Sequence, residues 1–256
     1  MADGDDQPGE MTVLAAVERD MMLAQACDAL ISSLSLSGPR PLRSVLVTSA
    51  QPEEGKTTVA VCLALRMAST GRRTLAVDAD LRRPMVHRFL HLDNSVGIMD
   101  VVAGDVAAVK AIREVDASGG TNGRSNALGV LTSGRAPRDA TAVLQAPSFV
   151  QVLRDLGTGY DAVVIDCPPV LSVSDSLWLV RHVDGVVLVL STGRTTEHDA
   201  RRAKQRIEDA GGHVLGAVLN RFDEKLHGPE FLPYHSHYDV EPERPVTSHD
   251  RQPRGR

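Results

Sequence analysis

The chain has no basic excess, no apolar run long enough to span a bilayer, and only three cysteines in its 256 residues. Each shortage removes a class of function. A formal net charge of -5 leaves no electrostatic footprint for nucleic acid, whose binders carry a basic face. Without a long apolar run no direct membrane insertion is expected, and the acidic opening Met1-Ala2-Asp3-Gly4-Asp5-Asp6 is unlike a secretory leader. Cys27, Cys62 and Cys167 are far apart along the chain, with neither metal spacing nor a disulfide framework. They read as buried free thiols of a reducing compartment, so the expected location is cytoplasmic. No repeat of solenoid period is visible. What remains is an ordinary globular composition, 42% hydrophobic and 24% charged, with few aromatics.

Residues 1–18 are acidic and rich in small polar residues, which predicts disorder. A helical pattern over 21–36 follows, carrying Met22, Ala26, Ala29, Leu30 and Leu34 on one face, and Ser37-Gly38-Pro39-Arg40-Pro41 breaks it. Strand and helix patterns then alternate. Strands are expected at 44–48, 74–77, 130–132, 162–165, 186–190 and 214–219. Helices are expected at 57–67, around 89, and at 140–144, 149–156, 175–180 and 197–210. The strands are continuous apolar runs, as when helices cover both faces of a parallel sheet. The folded domain is expected over 19–222. Residues 223–256 hold five of the 14 prolines and four of the 9 histidines, and read as a flexible tail.

The segment Val45-Leu46-Val47-Thr48-Ser49-Ala50-Gln51-Pro52-Glu53-Glu54-Gly55-Lys56-Thr57-Thr58 is a strand, a short turn and Gly-Lys-Thr-Thr opening a helix. That is a phosphate-binding loop of the A-x-x-x-x-G-K-T kind, with Ala50 where a first glycine is usual. Gly55 lets the backbone approach a phosphate, and the following amides and the helix dipole favour negative charge there. Lys56 would reach the β- and γ-phosphates and the Thr57 hydroxyl would ligate Mg²⁺. The fold class follows: α/β, a P-loop NTPase with a mostly parallel sheet and helices on both faces.

A second strand ends in Asp78-Ala79-Asp80-Leu81-Arg82-Arg83-Pro84, and a third in Ile165-Asp166-Cys167-Pro168-Pro169. Carboxyl ends of parallel strands point into a ligand crevice. One carboxylate of the first pair suits Mg²⁺ and the other a proton or metal-bound water; capping of the turn and pairing with Arg82 is the structural alternative. Four apolar residues followed by Asp166 have the Walker B form. Lys56, Asp78, Asp80 and Asp166 are therefore expected to converge on one sheet edge. Near the end, Asn220 of Leu219-Asn220-Arg221 suits either an adenine edge or a strand-end turn.

In this order the four segments resemble the bacterial tyrosine kinases of capsule and exopolysaccharide synthesis. Also similar are His91-Leu92-Asp93-Asn94 with the run Val96 to Gly104, and Asp184-Gly185-Val186-Val187-Leu188-Val189. The likeness covers about residues 20–222. It implies an ATP- and Mg²⁺-dependent kinase that phosphorylates its own C-terminal tyrosines and regulates polysaccharide polymerisation and export. By resemblance Lys56 and Thr57 bind phosphate and metal, Asp78 helps activate the phenol, and Asp80 and Asp166 organise the metal. Arg82 steadies phosphates or a neighbouring subunit, and Asn220 contacts the base. The expected nucleotide-contacting set is Ala50, Gln51, Glu53, Glu54, Gly55, Lys56, Thr57, Thr58, Asn220 and Arg221.

The same fold serves septum-site and partition ATPases, which carry a signature lysine where this chain has Gln51, Pro52 and Glu53. A partition ATPase is thus disfavoured, and a nucleotide-driven conformational switch without tyrosine phosphorylation is the other alternative. The family's ring-forming Glu-x-x-Arg-x-x-Arg helix pattern meets Gln25, Asp28 and Ile31 here, so a ring is not carried over, although a homo-oligomer stays open. The acceptor candidates reduce to Tyr234 and Tyr238, while Tyr160 reads as structural. The expected partner is a separate transmembrane chain-length adaptor that recruits the chain to the inner face of the plasma membrane. His227, His235, His237 and His249 read as solvated rather than metal-binding, Arg201, Arg202, Lys204 and Arg206 as a solvated helix face, and Trp178 and Met99 as core.

Overall fold

A computed structural model describes residues 21–36, 42–117 and 126–222. The expected disordered segment 1–18 and the tail 223–256, with Tyr234, Tyr238 and the four tail histidines, lie outside the described residues.

Seven strands form one sheet: β1 (Ser44–Ser49), β2 (Thr74–Asp78), β3 (Arg113–Asp116), β4 (Ala127–Leu131), β5 (Ala162–Asp166), β6 (Gly185–Ser191) and β7 (Val214–Asn220). Their order is β3-β4-β2-β5-β1-β6-β7, and every pairing is parallel except β3 with β4. In chain order the helices are α1 (Met21–Leu36), α2 (Lys56–Ser69), α3 (Val86–Phe89), α4 (Ile98–Ala103), α5 (Ala108–Ala111), α6 (Ala140–Gln145), α7 (Pro147–Gly159), α8 (Asp175–Leu179) and α9 (Glu197–Asp209).

The expected alternation of elements is borne out, and the continuous apolar runs have the expected cause. Successive side chains of a strand face opposite sides. Val45 and Val47 of β1 join a core built with Ala60, Leu63, Ala64 and Met67 of α2. Leu46 between them joins the opposite core with Phe149, Leu153 and Leu156 of α7 and Ile207 of α9. Both faces are covered, so neither can be polar. Helix α1 lies against α2, where Asp28 pairs with Arg66 at 2.6 Å through both oxygens. All three cysteines are free and buried, yet Cys27 and Cys62, distant in sequence, pack against each other.

Helices α4 and α5 were not expected, and three further points change in detail. The strand expected at 130–132 runs over Ala127–Leu131, because buried Leu128 belongs to it. Strand β3 was not expected; its sequence Arg-Glu-Val-Asp is charged and it lies at the sheet edge, half exposed. Trp178, expected in the core, is 42% exposed.

Candidate active site

Strand order reverses around β1, which lies between β5 and β6, and the carboxyl ends of β1, β2 and β5 open onto one crevice. Parallel register sets Val47 beside Asp166 and Asp78 beside Asp166, so the two strand-end carboxyls are neighbours by construction. The loop leaving β1 turns into α2 at Gly55, whose φ of +91° is left-handed. No side chain caps this helix start and no acid sits in its first turn, so its leading amides are left for an outside anion. A Cβ on Gly55 would lie 2.0 Å from Asn220 Nδ2, so the position also lacks room for a side chain.

Lys56, 9% exposed, turns its ammonium onto the strand ends. Its Nζ lies 2.9 Å from Asp80 Oδ2 and 3.5 Å from Asp166 Oδ1, and it donates to Thr57 Oγ1 at 3.2 Å. The Thr57 hydroxyl donates to Asp166 Oδ2 at 2.6 Å. Burial alone would drive Lys56 toward neutrality, but the carboxylates of Asp166 and Asp80 outweigh it and raise its pKa. Asp166 is pushed up to about 6, burial outweighing the charge of Lys56 and the Thr57 hydrogen bond. Asp78 is raised well above the carboxylate range by burial and then by neighbouring Asp166.

The two carboxyls of the β2 end take different places. Asp78 is fully buried; its Oδ1 accepts from the Asp80 amide at 3.2 Å, and its Oδ2 from the Met85 and Val86 amides at 3.1 and 3.0 Å. It thereby ties down the segment leading into α3. Asp80 lines the cleft beside Lys56 and accepts from the Arg83 amide at 3.0 Å. Arg82 also lines the cleft, but its guanidinium is held at 2.5 Å by buried Asp175 of α8 and donates to Thr141 of α6 at 2.9 Å.

The cleft measures about 620 Å³. Gly55, Lys56, Thr57, Thr58 and Asp80 form its phosphate side, and Glu53, Arg83 and Arg221 its polar rim. Met85, Phe89, Pro168, Pro169 and Val173 form an apolar wall. Of the residues expected from sequence, Asp78, Asp166, Ala50, Gln51, Glu54 and Asn220 do not line it. Glu54 is 1% exposed; its carboxylate accepts from the Gln51 amide at 2.8 Å and from the Thr195 hydroxyl. Asn220 donates to the Glu54 carbonyl at 2.9 Å and accepts from the Arg221 amide. Sequence reasoning missed Asp175, Thr141 and Thr195, since no local motif surrounds them.

Among the described residues no group of three or more His, Cys, Asp or Glu is arranged to hold a metal unaided. Thr57, Asp80 and Asp166 nevertheless gather hard oxygen donors beside the phosphate loop. That set fits magnesium, which takes few protein ligands and completes its shell with water and phosphate oxygens.

A family model described as an AAA domain matches residues 51–196. The tyrosine-protein kinase YwqD of Bacillus subtilis (strain 168) is 35% identical over 181 residues, covering 71% of this chain and 73% of that protein. Among solved structures, the chimerical protein CapA2B2 superposes with a TM-score of 0.74 at 27% identity, covering 82% of this chain and 90% of that one. The kinase domain of the Escherichia coli tyrosine kinase ETK does so with a TM-score of 0.73 at 28% identity, covering 86% of each chain.

Proposed function

The chain belongs to the bacterial tyrosine-protein kinase family, and from that premise we propose that it transfers the γ-phosphoryl group of ATP to tyrosine hydroxyls, including its own. The process it serves is the regulation of capsule or exopolysaccharide polymerisation and export. One observation carries the reading: Lys56 lies 2.9 Å from Asp80 and 3.5 Å from Asp166, at the mouth of an uncapped helix.

Phosphoryl transfer asks a protein mainly for positioning and charge. The leading amides of α2 and the Lys56 ammonium hold the β- and γ-phosphates of ATP, with Thr58 and Arg221 beside them. Asp80 and Asp166 keep Lys56 charged despite its burial, so the cation is in place before the substrate arrives. Thr57, Asp80 and Asp166 are the oxygen ligands proposed for magnesium, which when bound neutralises phosphate charge. The contribution of Asp78 to activating the phenol runs through the segment it fastens. Asp80 is the carboxylate of the pair that faces the cleft, where it holds Lys56 and would hold the metal. Arg82, anchored by Asp175, lends its charge to the rim.

Tyr234 and Tyr238 are the proposed acceptors. Tyr160 is not: it is half-buried against Gly129, and burial followed by Glu114 raises its pKa. Among the described residues no helix is long and apolar enough to cross a membrane. A separate membrane adaptor that brings the chain to the bilayer forms part of the proposal. The test is an anti-phosphotyrosine blot of purified protein given Mg·ATP and that adaptor. The wild type should label, and Lys56→Met should not; equal labelling of both would remove Lys56 from the reaction.

A further inference from the structure

The phosphate loop is held from the side as well as from below. Glu54, immediately before Gly55, is buried, and no cation pairs with it among the described residues. Its two carboxylate oxygens accept instead from the Gln51 amide at 2.8 Å and from the Thr195 hydroxyl. Thr195 closes a tight turn after β6: its Oγ1 accepts from the Ser191 amide at 2.8 Å, and its own amide donates to the Ser191 carbonyl at 2.9 Å. Inside the same turn the Thr192 amide donates to the Asn220 carbonyl at 3.0 Å. Asn220 then returns to the loop, its Nδ2 donating to the Glu54 carbonyl at 2.9 Å. The bonds form a closed circuit through three segments, the phosphate loop, the 191–195 turn and the end of β7.

We infer that Glu54, Thr195 and Asn220 are positioning residues whose hydrogen-bonded circuit holds the phosphate loop in the shape that receives a triphosphate. The inference rests on the nucleotide-binding part of the proposed function. Its physical basis is the left-handed turn at Gly55, a helix start that no side chain of its own caps. A buried carboxylate is costly unless its lone pairs are met, and here two donors meet it only when the loop and the turn keep this arrangement. Asn220 fills the space beside Gly55 where a side chain would stand, so it fixes the loop by contact as well as by its hydrogen bond. The exposed Glu53–Arg194 pair at 3.4 Å spans the same two segments and, open to solvent, contributes little.

The circuit makes a prediction that base recognition by Asn220 does not. Loosening the loop weakens any triphosphate, whatever base it carries, whereas losing a base contact weakens ATP alone. The experiment measures dissociation constants of the full-length chain with magnesium for ATP, GTP and inorganic tripolyphosphate, with melting temperature recorded alongside. Thr195→Val, Glu54→Ala and Asn220→Ala each unmake two side-chain hydrogen bonds and should weaken all three ligands by a similar factor, roughly tenfold or more. Glu54→Gln, which keeps an acceptor for the Gln51 amide and offers a donor to Thr195 Oγ1, should recover most of the loss. If Glu54→Ala does not fold, Thr195→Val carries the test, since only a hydroxyl is removed. Affinities unchanged in folded Thr195→Val overturn the brace while leaving the nucleotide reading intact. A loss confined to ATP in Asn220→Ala overturns the brace at that residue and assigns it to the base. A wild-type chain that binds none of the three ligands overturns the nucleotide reading, and the brace with it.

Discussion

Thr57 and Asp166, 109 residues apart in the chain, meet at 2.6 Å with the threonine hydroxyl donating to the carboxylate. The first turn of α2 is thus fastened to the end of β5 at the point where phosphate and metal would arrive. The same carboxylate meets Lys56 at 3.5 Å through its other oxygen, so consecutive residues of the phosphate loop share one anchor.

Removing that anchor's charge should harm the reaction more than the fold. Asp166→Asn preserves shape and a hydrogen-bonding carbonyl but lets Lys56 lose one of its two carboxylate partners. The rate of phosphotyrosine formation is expected to drop by roughly a hundredfold or more, the scale seen when preorganised charge is lost. Circular dichroism should stay unchanged. A rate within a factor of about two of wild type would show that Asp166 does not act on the transferred group.

Acidity offers a second handle on Asp166, whose pKa rises from 3.8 to about 6 in the folded chain. An acid held above its unfolded value binds its proton more tightly when folded, so its ionisation opposes folding. The nucleotide-free protein should therefore lose stability as pH climbs from about 4 to about 6 and level off above that range. Asp166→Asn should lack this component. The comparison is between the two melting curves across the window, which cancels the carboxylates remote from Asp166; that of Asp78, held up in part by Asp166, changes with it. Parallel curves would place the titration elsewhere. Magnesium-dependent nucleotide affinity should run the other way, falling below about pH 6 as the proposed metal ligand takes up its proton.

Gly55 and Gly71 make a matched pair. Their φ angles are +91° and +87°, but a Cβ at Gly55 would strike Asn220 whereas Gly71 has nothing within 4 Å. Gly71→Ala should cost only the backbone strain, about 1 kcal/mol, and leave nucleotide binding alone. Gly55→Ala adds displacement of Asn220 and should cost clearly more while abolishing nucleotide binding. Equal losses of stability in denaturant titrations, with binding kept in both, would contradict this account.

Arg82 and Asp175 should show energetic coupling. Asp175 is 1% exposed and keeps only Thr141 as a side-chain partner once the guanidinium is gone. Arg82→Ala is expected to cost about 1–2 kcal/mol, reduced from the fully buried figure because the arginine side chain is 45% exposed. The double variant with Asp175→Ala should cost less than the sum of the two single changes. Strict additivity in urea unfolding would mean that the ion pair contributes nothing.

Much of this could be read along the chain because its informative residues are contiguous. Gly55, Lys56 and Thr57 share one loop, Asp78 and Asp80 one strand end, and β1, β2, β4, β5 and β6 announce themselves by apolar runs buried on both sides. The less legible parts depend on residues brought together from afar. Asp175 reaches Arg82 across 93 positions and Thr195 reaches Glu54 across 141, and neither is surrounded by a pattern. Strand β3 escaped because half of it faces outward and its residues are charged. The roles of Glu54 and Asn220 depend on where their hydrogen bonds go, which spacing alone does not specify.

Asn220 ends β7, one of the two edge strands of the sheet, paired on one side among the described residues, and Leu219 just before it is 53% exposed. Margins of sheets fray sooner than interiors, so the residue touching Gly55 belongs to the part of the molecule that opens most readily. Grip on the triphosphate is consequently tied to how firmly this border is zipped. An amide-exchange experiment should find its protection rising when nucleotide is added, in step with the loop it touches.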